Sequence, residues 1–374
     1  MGKISTKITK KNKGNTIQNV LCNSATLGLI PQNDYFDREI ANSNNTEGYY
    51  VIEYGDFVYN PRKSVSAPYG PVNIYTGSIK GIISPLYLCF SVHSIMPSFL
   101  YYRFKSSVWF PYVYSHGDTG TRFDRVSIKD DVFFEMPIYM PSSKEQIKIA
   151  NLMALLDERI ATQNKIIDKL QSLIKGINQR VFMNNGINYK LGEVCEIRSG
   201  YSGNQLLSKK GLKVSRIETI SGHKVNLERV GYVAPFESSE NYKLQVGEIL
   251  FSNINSVEYI GNTAFIDKDY DLYHGMNLLR LTPNNMVVIP FYLYLLLNTN
   301  RMLNRFKTVC NKAVSQASIN QTELGKTVVQ IPNINAQKQI CELYQALYDK
   351  LESEKYANSL FQKQKQYLLR QMFI

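Results

Sequence analysis

The sequence predicts an α+β protein made of two similar units, each a mixed helix–strand block followed by one long helix. Two observations lead to this prediction. Residues 141–182 and the segment that starts at Pro332 both begin with proline, carry glutamine five places later, continue as a long helical pattern and reach phenylalanine. The preceding blocks are rich in Tyr, Phe and Val, and YGDFVYN at 54–60 resembles VGEILFSN at 246–253. Such tandem repetition predicts two pseudo-twofold-related units.

The two long segments each carry an apolar seam at heptad spacing. In the first, positions alternate by four and three, and only Gln163 is polar: Ile149, Met153, Leu156, Ile160, Gln163, Ile167, Leu170, Ile174, Ile177 and Val181. The second segment overlays at a constant offset, since 340 − 149 = 191, and places Glu354 opposite Gln163. Each helix is about 38 residues, or roughly 57 Å, long. Neither can bury its stripe alone, so we expect them to pack antiparallel as an intramolecular coiled coil. The alternative is two unrelated surface helices.

Composition narrows the class of protein. The chain has 374 residues, more than one ordinary domain usually holds, and a formal net charge of +12. That excess favours a polyanionic partner such as nucleic acid, although a merely basic soluble protein would look the same. Five scattered cysteines without a C-x-x-C pair argue against a disulfide framework or a zinc cluster and fit a reducing cytosol. We expect no secretory signal and no membrane span, because no apolar run is long enough.

The sequence lacks the motifs that ATP hydrolysis, methyl transfer and nucleophilic catalysis require. The chain has no G-x-x-x-x-G-K-[ST] loop, and its four histidines are dispersed. An adenine methyltransferase needs a glycine-rich donor site and an Asn/Asp-Pro-Pro-aromatic signature, which Asn60-Pro61-Arg62 matches only superficially. The acidic run around 267–271 is typical of a solvated turn. The sequence therefore predicts a protein without catalytic residues, metal ligands or a cofactor of its own.

Several segments together resemble the specificity subunits of type I restriction–modification systems. They are the twice-used proline–glutamine helix opening, as in PSSKEQIKIANLMALLDERI, with GLIPQNDYFDREIANSNNTEGYYVIEYGDFVYNPRK at 28–63, GIISPLYLCF at 81–90 and KLGEVCEIRSGYSGNQ at 190–205. The resemblance covers nearly the whole chain. One departure concerns the start: the family commonly opens each recognition domain with an LGEV-type strand. Leu191–Val194 supplies it in the second half, whereas the chain itself opens at KISTKIT, so we expect the first domain to be trimmed or to start late.

The resemblance implies a non-catalytic subunit that reads a split, asymmetric DNA sequence in the cytoplasm. It implies target-recognition domains at 1–141 and 187–332, with long helices at 142–186 and 333–374 that set the spacing and dock partners. The partners implied are double-stranded DNA, two adenine-N6 methyltransferase subunits and, in some complexes, restriction subunits. S-adenosylmethionine, ATP and magnesium would bind those subunits, so no cofactor is expected here.

The candidate DNA-facing residues lie in polar loops. Arginine and lysine suit guanine edges and phosphates, whereas amides and hydroxyls suit adenine edges. In the first half the candidates lie at 60–70 and 115–125: Arg62, Lys63, Ser64, His116, Arg122 and Arg125. In the second half they lie at 197–205, 252–259 and 311–321: Arg198, Tyr201, Asn204, Asn253, Asn255, Lys312, Gln316, Ser318 and Asn320. For any single residue, an ordinary solvated loop is the competing interpretation.

The outer faces of the helices are candidate partner contacts. In the first helix they comprise Lys148, Asn151, Glu158, Lys165, Lys169 and Gln171. Two other classes of function stay open at this point. One is a helical interaction scaffold that does not bind DNA, and the other is a standalone DNA methyltransferase or nuclease.

Overall fold

The computed structural model describes residues 1–35, 46–117, 124–182, 186–312 and 316–373. The chain divides into two units: the first joins Met1–Lys165 to Lys355–Ile374, and the second is Ile166–Glu354. Each unit combines strands with helices, so the predicted α+β class is confirmed. Each of the two long helices contributes residues to both units.

The first unit centres on a four-stranded antiparallel sheet of order β1-β8-β5-β6. Its described strands are β1 (Ser5–Lys7), β2 (Leu21–Ser24), β3 (Gly28–Pro31), β4 (Tyr50–Ile52), β5 (Phe57–Tyr59), β6 (Val72–Ile74), β7 (Gly81–Ile83) and β8 (Leu88–Val92). Strands β2 with β3, and β4 with β7, form two-stranded sheets. Its helices are α1 (Gln32–Tyr35), α2 (Pro97–Lys105), α3 (Phe110–His116), α4 (Asp130–Glu135) and the first part of α5 (Ser143–Val181).

Aromatic rings fill the core of the first unit. Phe57 and Phe90 face each other in the register of β5 and β8, and their rings stack at 5.4 Å. Phe133 of α4 stacks on Tyr59 at 5.0 Å, and Trp109 meets Tyr59 edge-on at 6.1 Å. Rings of this size bury a large apolar area per residue, which explains the Tyr- and Phe-rich composition of the block.

The second unit centres on a sheet of order β10-β16-β13-β15. Its described strands are β9 (Ile187–Lys190), β10 (Cys195–Ser199), β11 (Leu212–Val214), β12 (Gly231–Val233), β13 (Ile249–Ser252), β14 (Ile254–Asn255), β15 (Thr263–Phe265), β16 (Leu278–Pro283), β17 (Asn311–Lys312), β18 (Ala317–Ser318) and β19 (Val328–Ile331). Its helices are the rest of α5, α6 (Leu191–Val194), α7 (Pro290–Leu297), α8 (Asn300–Val309), α9 (Gln321–Gly325) and most of α10 (Ile334–Met372).

The sheets confirm the internal repeat. In chain order, β1, β5, β6 and β8 occupy the same places in the first sheet that β10, β13, β15 and β16 occupy in the second. Helices α2 and α7 both begin at a proline after the last sheet strand. Leucine and isoleucine replace many of the rings in the second core, as in the Ile249–Leu281 pair. The two units therefore share a topology while differing in side chains.

The prediction of an opening strand at Leu191–Val194 is wrong. These residues form a helical turn, because Glu193 Oε2 accepts the Lys190 backbone N–H at 2.7 Å, and the strand begins at Cys195. In the first unit, Met1 and Ile4 are buried and close a similar turn by a 2.9 Å backbone hydrogen bond just before β1. A turn thus occupies the corresponding place before the first strand of each central sheet, and whether the first domain is trimmed or starts late stays a prediction.

The predicted seam is the buried stripe of α5. Met153, Leu156 and Ile174 are buried, and Gln163 is only 8% exposed although polar. In the first unit, Asp157 pairs with Lys365 and the Asn358 amide donates to Asn164 Oδ1 at 2.8 Å, so the helices run antiparallel. These pairs explain why the α10 seam can turn polar at 358 and 365: each polar side chain there has a polar partner on α5.

In the second unit, the other parts of the same helices pack through apolar residues. Ile174, Tyr344 and Leu351 share a cluster with Leu295 of α7. The Tyr344 hydroxyl donates to Asn178 Oδ1 at 3.1 Å, so this buried tyrosine has an acceptor on α5. The predicted helix pairing is thus confirmed by contacts inside each unit.

The repeated glutamine and phenylalanine have a structural explanation. Gln146 accepts the Met96 N–H at 2.9 Å and donates to the Pro141 carbonyl at 3.0 Å, fixing the start of α5 to the loop before α2. Gln337 does the same in the second unit with Ile289 and Pro332, at 2.8 Å each. Both amides are buried.

The phenylalanines close the opposite ends of the helices. Phe373, after α10, packs on Phe99 of α2 at 5.3 Å, and Phe182, after α5, packs on Tyr292 of α7 at 5.5 Å. Each unit thus holds the beginning of one long helix through a glutamine and the end of the other through a phenylalanine.

Replacing Gln337 by alanine should destabilise the second unit. The change leaves the Ile289 N–H and the Pro332 carbonyl buried without this partner, at a cost of about 1–3 kcal/mol. Gln339→Ala, an exposed change on the same helix, is the matched control and should stay within about 0.5 kcal/mol of the wild type. Urea unfolding midpoints measure both, and equal midpoints for the two variants would contradict the assignment.

Lys105 is a half-buried cation in the first unit. Its Nζ donates to Asn73 Oδ1 at 2.6 Å and lies 4.9 Å from the centre of the Tyr101 ring. Burial lowers the pKa of Lys105 to about 8, and the charge of Lys365 adds to the lowering while Asp157 opposes it. The ordinary pKa is 10.5, so between these values the unfolded chain binds more protons at Lys105 than the folded chain.

The stability of the first unit should therefore rise with pH above 8 through this lysine. Relative to Lys105→Met, the wild type should gain about 1–2 kcal/mol of unfolding free energy between pH 7.5 and 9.5. Because both proteins share every other titrating group, the difference isolates Lys105. Lys363→Met, at an exposed position, serves as control and should keep the wild-type pH slope. Parallel pH curves for wild type and Lys105→Met would refute the effect.

Candidate nucleic-acid interface

In the first unit, two of the predicted loop segments meet. The segment after β5 crosses the segment before α4 as an antiparallel bridge between Arg62 and Arg125. The Lys63 N–H donates to the Asp124 carbonyl at 2.8 Å, and the Val126 N–H donates to the Pro61 carbonyl at 2.9 Å. Backbone pairing thus brings Arg125 next to Arg62 and Lys63, which lie far earlier in the sequence.

The charges at this crossing are mostly positive. The Arg62 side chain is 68% exposed, and its Nε lies 3.8 Å from the Asp124 carboxylate. Burial raises the pKa of the Tyr87 phenol, and the positive charges of Arg125 and Arg62 work against that rise. Among the described residues of this crossing, Arg62, Lys63 and Arg125 are cations and Asp124 is the one carboxylate, which leaves net positive charge for phosphate or base contacts.

A tight turn follows the cations. Ser64 and Ala67 exchange backbone hydrogen bonds of 3.0 and 3.2 Å, and Ser64 Oγ accepts the Ala67 N–H at 3.1 Å. Gly70 closes the loop with φ +83°, and a Cβ there would lie 2.0 Å from the Asn60 carbonyl oxygen. Only glycine fits so close to the Asn60 carbonyl, and this close packing restricts the conformation of the loop.

Of the two other first-unit candidates, only His116 belongs to the described structure. His116 is exposed at the end of α3, where its ring stacks on Tyr112 at 4.1 Å and its Nδ1 lies 2.8 Å from Ser115 Oγ. Arg122 lies outside the described residues. Both remain predictions.

In the second unit the corresponding segments also meet. Strand β14, directly after β13, pairs with β18, which pairs with β17, so the predicted stretches 252–259 and 311–321 form one three-stranded sheet. Ile254 lies opposite Ser318, and Asn255 lies opposite Ala317. The position of this sheet in chain order matches that of the Arg62–Arg125 bridge, because each follows the second strand of its central sheet along the chain, β5 or β13.

Amide groups dominate this second crossing. The Asn253 carbonyl accepts the Ile319 N–H at 2.9 Å, while the buried Asn253 Oδ1 has no hydrogen-bond partner among the described residues. The Asn255 amide donates to Ser252 Oγ at 3.1 Å. Gln316 is exposed and Ser318 half-buried, and only the backbone of Lys312 belongs to the described structure.

The remaining second-unit candidates have structural partners. Asn320 caps α9, since its Oδ1 accepts the Glu323 N–H at 2.8 Å. Arg198 lies on β10 and pairs with Glu196 at 2.7 Å, and the Tyr201 ring stacks on Phe236 at 4.0 Å. Asn204 is exposed. Whether any of them touches DNA remains a prediction.

Sequence reasoning missed Tyr87 and Asp124, which reach the first crossing only through the fold. One signal that could have aligned the two crossings is the dipeptide Ser-Val, at 64–65 and again at 256–257, shortly after the equivalent strands. Among the residues with described positions, no cluster of His, Cys, Asp or Glu could hold a metal ion. Within that same part of the chain, no helix has the length and apolar character to cross a membrane.

Comparisons with known proteins agree with this architecture. Residues 186–359 match the family model of the type I restriction modification DNA specificity domain. A specificity subunit assigned to the type I restriction enzyme MjaX of Methanocaldococcus jannaschii is 41% identical over 158 residues, 41% of this chain and 37% of that protein. The HindI type I restriction enzyme specificity subunit of Haemophilus influenzae is 26% identical over 133 residues, 35% of this chain and 28% of that protein. Each match spans only about a third of the curated relative.

Solved structures share the fold over most of the chain. A chain from a study of complex assembly and conformational transition of the type I R-M system has a TM-score of 0.62 at 16% identity, covering 99% of this chain and 95% of that one. The S subunit of the type I restriction–modification system of M. genitalium has a TM-score of 0.53 at 16% identity, covering 90% and 87%. Residues 186–359 therefore match a type I restriction modification DNA specificity domain, and the resemblance to type I specificity subunits that the sequence predicted is confirmed.

Proposed function

We propose that this chain is the non-catalytic subunit that gives a type I restriction–modification complex its DNA sequence specificity. It reads a bipartite, asymmetric site in cytoplasmic double-stranded DNA, one half-site per unit. It docks adenine-N6 methyltransferase subunits and, in the restricting complex, restriction subunits. S-adenosylmethionine, ATP and magnesium bind to those partners.

The observation that supports the proposal is the pair of loop crossings at equivalent places in the two sheets. The first presents Arg62, Lys63 and Arg125, whereas the second presents Asn253, Asn255 and Ser318. A shared frame with different side chains suits two half-sites of different sequence. A net charge of +12 suits phosphate contacts, which would make binding strongly salt-dependent.

The side chains suggest which base edges each unit prefers. Arginine and lysine can donate to guanine O6 and N7, so the first unit is suited to a G·C-containing half-site. Asparagine pairs with adenine N6 and N7. Asn255, half-buried on β14, therefore suits an A·T-containing half-site in the second unit.

The long helices would set the spacing of the half-sites. Helices α5 and α10 each have 39 residues, about 58 Å at ~1.5 Å per residue, and each contributes to both units. Base flipping and methyl transfer would then occur in the partner subunits.

The outer side of α5 offers a surface for those partners. Large apolar side chains are exposed there, namely Ile147, Leu152, Leu155, Ile166 and Leu173. The predicted polar contacts on the same helix are exposed as well: Lys148, Asn151, Glu158, Lys165, Lys169 and Gln171. Apolar side chains rimmed by polar ones are typical of a protein interface.

Changing Arg62 and Lys63 together to alanine should weaken recognition of one half-site and leave assembly intact. Loss of a good base contact costs about 1–3 kcal/mol, so methylation should fall about tenfold or more, or the motif should relax on that side. Sequencing that reports N6-methyladenine in a host lacking it measures the effect. Asn255→Ala is the matched variant and should affect the other half-site. Failed assembly with an unchanged motif would contradict the placement.

Replacing Leu155 by aspartate should weaken methyltransferase binding without unfolding the chain. Leu155 is 62% exposed, whereas its neighbour Leu156 is 8% exposed and lies in the core. Burying a new charge at an interface costs several-fold to many-fold in affinity. Thr162→Asp adds the same charge at an exposed position without removing an apolar group. Equal affinities for both variants in a pull-down titration would argue against this docking face.

A further inference from the structure

An exposed apolar side chain lies in the Ser64–Ala67 turn of the first-unit crossing. Val65 lies in the turn closed by Ser64 and Ala67, and its relative exposure is 106%, more than an extended chain would give it. The hydrogen bonds of that turn, and Gly70 behind it, hold the isopropyl group away from the rest of the protein. A scattered surface valine is ordinary, but this one is displayed by a rigid loop.

The surroundings of Val65 are those of a base-reading group. Arg62 and Lys63 precede it by three and two residues, and the backbone bridge brings Arg125 alongside them. Cations that engage phosphates or guanine would bring the turn tip into a DNA groove. Of the groups that base pairs present in the major groove, the thymine C5-methyl is the apolar one.

The second unit repeats the arrangement. Ser256 and Val257 follow β13 as Ser64 and Val65 follow β5, and Val257 is 37% exposed. The loops otherwise differ, since Arg62 and Lys63 have Ile254 and Asn255 in the corresponding places. Both loop tips therefore carry a valine while the neighbouring side chains differ, which indicates the same role for Val65 and Val257.

We propose that Val65 reads an A·T pair in the half-site of the first unit, by contact with the thymine C5-methyl group. The inference rests on the proposed function and extends it from cationic contacts to a named apolar one. It gives the first unit a contact with the thymine methyl group that the guanidinium of Arg62 and the ammonium of Lys63 cannot supply, because both are hydrogen-bond donors and a methyl group accepts none.

Deoxyuridine isolates this contact, because it differs from thymidine only by the missing methyl group. The complex with its methyltransferase subunits is titrated with duplexes of its own methylated motif in which each thymine is replaced in turn. At one thymine of the first half-site, the wild type should lose about three- to fivefold in affinity, the worth of one buried methyl. Val65→Ser should bind both duplexes equally, and Val65→Ile should keep the preference. Val257→Ser, the matched control, should leave this position unchanged.

The outcomes separate the two claims. Specific binding by a wild type that is indifferent to every thymine of that half-site overturns the role of Val65 alone. A first half-site made only of G·C pairs overturns it as well. A complex that binds no DNA sequence specifically refutes the proposed function, and the role of Val65 with it.

Discussion

The structure depends on burying the seams of two long helices that neither helix could bury alone. Each helix begins at a buried glutamine in one unit and ends at a phenylalanine packed in the other. The glutamine satisfies backbone groups that would otherwise be buried without partners, which fixes the helix start to one loop. Each core therefore includes parts of both helices, and the first unit joins two separate stretches of the chain.

This packing constrains the sheets and the helix ends and leaves the surface loops free to vary. The sheet order, the proline openings of α2 and α7 and the helix ends are held by packing and buried hydrogen bonds, and they recur in both units. The loops after β5 and β13 lie at the surface, where a change of side chain costs little stability. Arg62 in one unit and Ile254 at the corresponding place in the other show how far the loops diverge on the same frame. The proposed recognition of two different half-sites would need such a division.

The long helices and their pairing are predictable from local sequence, whereas the arrangement of the candidate site is not. Heptad spacing reports burial directly, so the seam from Ile149 to Val181 and the antiparallel pairing were predictable. Local sequence does not indicate the turn at Met1–Ile4, because four residues carry no period, and the family resemblance predicts a strand at Leu191–Val194, where Glu193 caps a helical turn. The Arg62–Arg125 bridge joins segments about sixty residues apart, which no local pattern indicates. Asn320 shows a further limit: its N-x-x-E spacing marks a helix cap, while its amide equally suggests base reading.

The central claim is that two dissimilar reading loops on a repeated frame specify one split DNA site. The most direct test expresses this chain with a methyltransferase subunit of its system in a host without adenine methylation, and sequences the genome by a method that reports N6-methyladenine. The account predicts methylation at a bipartite, asymmetric motif that appears only when this chain is present. A symmetric or continuous motif, or no new methylation although both proteins are soluble and associated, would contradict it.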